Sequence, residues 1–239
     1  MEAGEYTRMD AVEARMWWYR ALHTRLLDAL GPNPGGLILD AGCGTGGFLA
    51  RLNPGAAAMG LEYHAAAASL ARQKSGHPIA RGSIDTLPFA DRSFATVVTA
   101  DVLCHAAVTP MRALAEIRRV LIPGGRVIVN MPAFSSLMSA HDVRVHNARR
   151  MSAPETAAML AGAGFHVLAT RYWNGLLLPL MIARRKLIPP SPDRSDVAVF
   201  PPWLDRILHG VTALERRLPF PLPAGGSVLA IAERPMEQT

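Results

Sequence analysis

Apolar and polar positions alternate between two periods along this chain, and the switches between them predict an ordered succession of helices and strands. Residues 7–30 place Met9, Val12, Met16, Tyr19, Leu22, Leu26 and Leu30 at three- and four-residue intervals, the signature of one amphipathic helix ended by Gly31-Pro32. Continuous apolar runs then predict strands ending at Asp40, over 56–62, 77–82, 95–101 and 126–131, with helical segments over 45–52, 64–75 and 110–121 between them. Ser152-Ala-Pro-Glu155 reads as a helix start, with serine at the N-cap, proline in the first turn and glutamate positioned for a capping box. A helix over 153–163 follows, then strands over 165–173 and 226–233. Strand–helix alternation of this kind predicts an α/β fold with a mostly parallel sheet and helices on both faces.

The first strand runs into Asp40-Ala-Gly-Cys-Gly-Thr-Gly-Gly47, four glycines within six residues. Glycine admits positive φ and close backbone approach, which suits a loop that cradles a nucleoside ligand. Gly42, Gly44 and Gly47 also satisfy the dinucleotide pattern G-x-G-x-x-G, a weak signal by itself. Asp40 separates the two readings. A carboxylate at the strand end repels a pyrophosphate and attracts a ligand carrying an ammonium and a sulfonium, which describes S-adenosylmethionine.

At this point the chain resembles the class I S-adenosylmethionine-dependent methyltransferases, whose first motif is an apolar strand followed by D-x-G-x-G-x-G; Asp40, Gly42, Gly44 and Gly46 match it. The similarity is to the small-molecule branch, ubiquinone/menaquinone-methyltransferase-like, and extends from residue 36 to about 131 through Leu87-Pro-Phe89 and Pro123-Gly-Gly125. The fold implied is a Rossmann-like seven-stranded sheet with an antiparallel last strand. The cofactor implied is S-adenosyl-L-methionine, leaving as S-adenosyl-L-homocysteine. Asp40, Gly42, Cys43, Gly44, Gly46 and Asp101 are expected at the cofactor, and Glu62, 20 residues beyond Gly42, is placed for the ribose hydroxyls. Where the family commonly carries an acid for the adenine amino group, this chain has Ser83, so that contact falls to Ser83, Asp85 or the Ile84 N–H.

Candidate acceptor-site residues lie outside the glycine loop. Asp101 and His105 follow the strand 95–101, whose end opens into the same crevice, and His105 is there either a general base or a structural hydrogen-bond partner. His141, Asp142 and His146 follow the fifth strand, where the family borders its acceptor; His141 and His146 are further candidate bases and Asp142 a pocket residue, or the segment is a capped surface loop. Their spacing matches no zinc pattern, and no metal is expected. Trp18 and Tyr19 either pack the first helix onto the domain or, by the resemblance, wall the acceptor pocket.

Composition narrows the partners. The 239 residues fit a single domain, with residues 7–30 as a covering helix. Half the residues are apolar and mean hydropathy is +0.15, yet no apolar run is long enough to span a bilayer. The start of the chain carries no secretion signal, and Cys43 and Cys104 form no disulfide framework, which points to a cytoplasmic setting. The net charge of +6 is spread in pairs, aromatics make up 6%, and no nucleic-acid partner is expected. About 50 residues, 175–225, separate the last two strands, far beyond a hairpin loop. Leu176–Ala183 with Arg184-Arg-Lys186, a Pro189-Pro190-Pro192 link and an amphipathic helix over 202–217 make this insertion a lid, a homodimer contact or a peripheral contact with the inner face of a membrane. The expected activity is O-, N- or C-methylation of a small or lipid-like acceptor. The alternatives are a dinucleotide-dependent oxidoreductase and a non-catalytic membrane or partner adaptor.

Overall fold

The computed structural model describes residues 3–187 and 200–237. In chain order the elements are α1 (Ala3–Glu13), α2 (Trp17–Leu30), β1 (Ile38–Ala41), β2 (Ala58–Glu62), α3 (Ala65–Ser75), β3 (Ile79–Arg81), β4 (Phe94–Ala100), α4 (Pro110–Val120), β5 (Leu121–Pro132), α5 (Ala140–Arg144), α6 (Ala153–Gly162), β6 (His166–Trp173), α7 (Leu178–Leu187), α8 (Pro202–Glu215) and β7 (Ser227–Glu233). The seven strands form one sheet in the order β3-β2-β1-β4-β5-β7-β6. Pairing is parallel from β3 to β5, whereas β7 runs antiparallel to both β5 and β6. The Rossmann-like seven-stranded sheet is therefore present as expected. Strand order reverses between β1 and β4, and their carboxyl ends open the crevice where ligands of such sheets collect.

Successive strand residues face opposite sides, so a doubly covered sheet needs two cores. Leu39, Leu61, Val97 and Val127 face α4 and α6 through Leu114, Ile117 and Leu160. Ile38, Val98 and Ile128 face α2 through Leu22, Leu26 and Leu30. The expected capping box forms: Ser152 accepts from the Glu155 N–H, and Glu155 accepts in return from the Ser152 N–H.

Three local expectations need correction. The helix over 7–30 is two helices, because the Trp17 N–H is bound at 2.6 Å by the carboxylate of Asp205 on α8, which caps a new N-terminus. The crossover helix over 45–52 is a single 3-10 turn at Leu49–Arg51, since Gly46-Gly47 in front and Asn53-Pro54-Gly55 behind leave too few helix formers. The Pro123-Gly-Gly turn lies inside β5, looping out between the residues paired with Phe94 and with Thr96. Within the insertion, α7 and α8 are helices, and the link Pro189-Pro190-Pro192 lies outside the described residues.

α8 is held to the sheet by Glu215, whose carboxylate accepts the N–H groups of Asn174, Gly175 and Leu176 at 2.6, 2.8 and 3.1 Å. The same carboxylate pairs with Arg25 of α2 at 3.2 Å.

Candidate active site

The glycine loop leaves β1 after Ala41, one residue past Asp40, and turns back at once, with the N–H groups of Gly42 and Cys43 donating to the Leu61 carbonyl at 2.8 and 3.0 Å. Gly42 has φ +91°, and a Cβ there would overlap the Val102 side chain. Asp40 is 4% exposed and lines the cavity. Burial first, then the nearby carboxylates of Glu13 and Glu62, push its carboxyl up to about 8.

Glu62 ends β2 and faces the same space. One oxygen accepts the Gly44 N–H at 3.0 Å; the other accepts the His64 N–H at 2.8 Å and the Tyr6 hydroxyl at 3.3 Å. Burial raises the Glu62 pKa, and the N–H donors of His64 and Gly44 counter that rise. Tyr6 comes from α1, which lies over the loop. Met9 of the same helix sits against Gly44, and Glu13 against Gly47. Glu13 accepts the Thr45 hydroxyl at 2.6 Å and the Lys74 ammonium at 2.7 Å. His23 lies 3.9 Å from Glu13, but burial, with Arg51 and Lys74 nearby, lowers its pKa to about 3 and leaves it neutral at pH 7. Glu13, Asp40 and Glu62 thus bring three buried carboxyl groups to one pocket.

The other half of the cavity is built from the ends of β4, β5 and β6. Asp101 has φ +55° and accepts from the Asn130 side chain at 2.9 Å, while the Asn130 oxygen accepts the Trp173 indole N–H at 2.8 Å. Burial pushes Asp101 up to about 7 against the Asn130 hydrogen bond. His105 lines the cavity, and burial lowers its pKa, so its ring is neutral at pH 7 and able to accept a proton. Its loop is pinned by Arg149, which donates to the carbonyls of Leu103, His105 and Val108 at 3.1, 2.7 and 3.0 Å. Trp18, Tyr19, Ser83, Ile84, Cys43 and His146 also reach the cavity wall.

Four expected site residues stand differently. Asp85 turns away to accept the Thr109 N–H at 3.0 Å at the start of α4, because that helix lacks a side-chain cap of its own. Gly46 packs against the backbone of Ala71 on α3 and is absent from the cavity wall. Asp142 borders the cavity but is fully buried and spent on the protein. It accepts from Ser139 N–H and hydroxyl, Asn147 and Arg150 at 2.9 to 3.2 Å. Burial raises its pKa, and Arg150 with these donors outweighs that and holds it low. His141 lies in α5, and its side chain is outside what the structure describes. No group of three metal-ligand side chains occurs among the described residues.

Sequence reasoning missed Tyr6, Glu13, Asn130, Met181 and Phe200, all of which touch the cavity or its polar wall. Asn130 carried a usable signal, being the polar interruption of the buried run Val127–Met131. The cavity is about 1280 Å³; apolar side chains, among them Trp17, Leu22, Leu26, Phe48, Met181 and Phe200, predominate on its walls, beside the polar groups of His105, His146, Asn147 and Arg150.

A seven-stranded sheet of this order, with an acid-flanked glycine loop at its switch point, is the class I methyltransferase architecture. Residues 39–129 match the family model described as a methyltransferase domain. A probable tRNA methyltransferase 9B from Bos taurus is 34% identical over 98 residues, 40% of this chain and 21% of that protein. A malonyl-[acyl-carrier protein] O-methyltransferase from Serratia marcescens is 31% identical over 176 residues, 70% of this chain and 66% of that protein. The putative methyltransferase solved in complex with the Haloferax volcanii Trm112 activator shares the fold with a TM-score of 0.64 at 23% identity, covering 99% of this chain and 96% of that one. The chain spans 36% and 21% of the first curated relatives it matches. Fold, loop and matched segment place it among the class I S-adenosylmethionine-dependent methyltransferases.

Proposed function

We propose that this protein transfers the methyl group of S-adenosylmethionine to an oxygen, nitrogen or carbon nucleophile on a small or lipid-like acceptor. The observation that carries the proposal is the junction of a carboxylate-rich glycine-loop pocket with an apolar chamber in one cavity. The residues fit the donor. Asp40 and Glu62 at the glycine loop favour a ligand that bears an ammonium and ribose hydroxyls, and a buried carboxyl beside the loop offers nothing to the pyrophosphate of a dinucleotide; Glu13 is already paired with Lys74. Asp40 holds the ammonium, Glu62 accepts the ribose hydroxyls, and the Ser83-Ile84 backbone borders the adenine. The bound donor supplies an already activated methyl group, so holding the acceptor in line with it accounts for much of the acceleration. His105, neutral and on the chamber wall, takes the acceptor's proton where one must leave; His146 is the alternative base.

The acceptor class is inferred from the chamber. A wall in which aromatic and aliphatic side chains predominate suits an apolar small molecule, and its Arg150 is already paired with Asp142 at 2.9 Å and so is not free for a phosphodiester backbone. Incubation with methyl-labelled donor and cell extract tests this, with label expected in the organic-soluble fraction. Label in RNA or protein would overturn the acceptor assignment. Calorimetry that detects a nicotinamide dinucleotide and no S-adenosylmethionine would overturn the donor assignment as well.

A further inference from the structure

α8 carries its charges in an unusual arrangement. Its two acids, Asp205 and Glu215, both turn inward: Asp205 holds the Trp17 N–H and Arg20, and Glu215 holds Arg25 and the end of β6. The outer face shows Trp203, Ile207 and Leu214, which are 63%, 54% and 60% exposed. Their spacing of four and seven residues sets them in one line along the helix, with the exposed Gly210 between them. Arg206 is exposed and at 100° per residue falls along one edge of that line, and the exposed Arg217 lies in the turn that directly follows the helix. Among the described residues no carboxylate of α8 points outward.

We propose that this face docks onto an anionic lipid surface. A tryptophan-bearing apolar stripe edged by arginines, on a helix too short to span a bilayer, is the arrangement of a helix lying in the membrane interface. Charge separates this occupant from a second copy of the chain. Two such faces packed together would set arginines near arginines with no outward acid to offset them, whereas lipid phosphates complement them. Beside α8, the same insertion lines the cavity through Met181 and Phe200. Docking would therefore bring the apolar chamber to the bilayer, and that delivery of a lipid-like acceptor rests on the function proposed above.

The test is co-sedimentation of the full chain with phosphatidylcholine vesicles, with and without phosphatidylglycerol. Binding is expected only with the anionic lipid and should weaken with salt, accompanied by a blue shift of tryptophan emission that Trp203→Phe removes. Arg206→Glu with Arg217→Glu should lower partitioning at least about tenfold, as should Trp203→Ser with Ile207→Ser. Both variants should still bind S-adenosylmethionine calorimetrically, which shows that they are folded. Equal pelleting with neutral and anionic vesicles would overturn the proposal. So would a wild type that binds donor but no vesicle, or a dimer by light scattering that Ile207→Ser dissolves. Loss of donor binding with vesicle binding intact would instead sink the methyltransferase assignment and leave the docking standing.

Discussion

Asp40 shows what a single buried carboxyl contributes. Its pKa of about 8 lies above the ordinary 3.8, so in the unliganded protein at pH 7 it is mostly protonated. A cationic donor favours the carboxylate, so binding at pH 7 should expel a proton and affinity should rise with pH until about 8. Calorimetry in two buffers of different ionisation enthalpy reads the proton count, and Asp40→Asn should abolish this release and weaken the donor about tenfold or more. The stability sign is opposite. A carboxyl whose native pKa exceeds its unfolded value stabilises the native state at low pH, and that contribution fades as pH rises from about 4 through about 8. Unliganded wild type should therefore lose melting temperature across that window relative to Asp40→Asn; parallel curves would contradict the assignment. Asp40 and Glu62 were legible in the sequence because each ends a strand, where local pattern places a side chain. Asp85 was not, because its partner is the α4 start at Thr109, which nothing in its own loop reveals.

Elements are tied to one another by a few buried polar residues. Glu215 satisfies three backbone N–H groups and Arg25 at once, so Glu215→Ala should cost about 3–5 kcal/mol by urea unfolding. Glu215→Gln, which keeps part of the hydrogen bonding, should cost less. The contact of the glycine loop with α3 is testable in the same way. A Cβ at Gly46 would lie 2.7 Å from the Ala71 Cα, whereas at Gly55, also with positive φ, it would meet nothing within 4 Å. Gly55→Ala should then show only the left-handed penalty of about 1–2 kcal/mol, and Gly46→Ala more. Equal losses would show that the loop does not press on α3. The break between α1 and α2 belongs to this scale too: hydrophobic periodicity runs through residues 7–30 without interruption, and the cap that splits it comes from 188 residues away.

At the scale of the molecule, one cavity is shared by elements from both ends of the chain. α1 covers the donor loop through Tyr6, Met9 and Glu13, yet among the described residues none from α1 belongs to the two sheet-packed cores. Deleting residues 1–13 should therefore leave a cooperatively melting protein whose donor affinity falls about tenfold or more, the scale of one lost hydrogen bond to a charged group. A collapse of the fold would place α1 in the core instead. At the far end, Met181 of α7 and Phe200, just ahead of α8, add to the cavity wall from an insertion outside the matched segment 39–129.

The order of strands and helices, the switch-point loop and the acids flanking it were determined by sequence alone, because hydrophobic period and glycine placement act over a few neighbouring residues. Tertiary structure decided the rest: that Glu13 joins Asp40 and Glu62, that Asp142 is consumed by Arg150, and that Asn130 bridges Asp101 to Trp173. The physical reason is common to these cases. A buried polar side chain takes whichever partner the packing brings within about 3 Å, and that partner is set by the folded arrangement of distant segments.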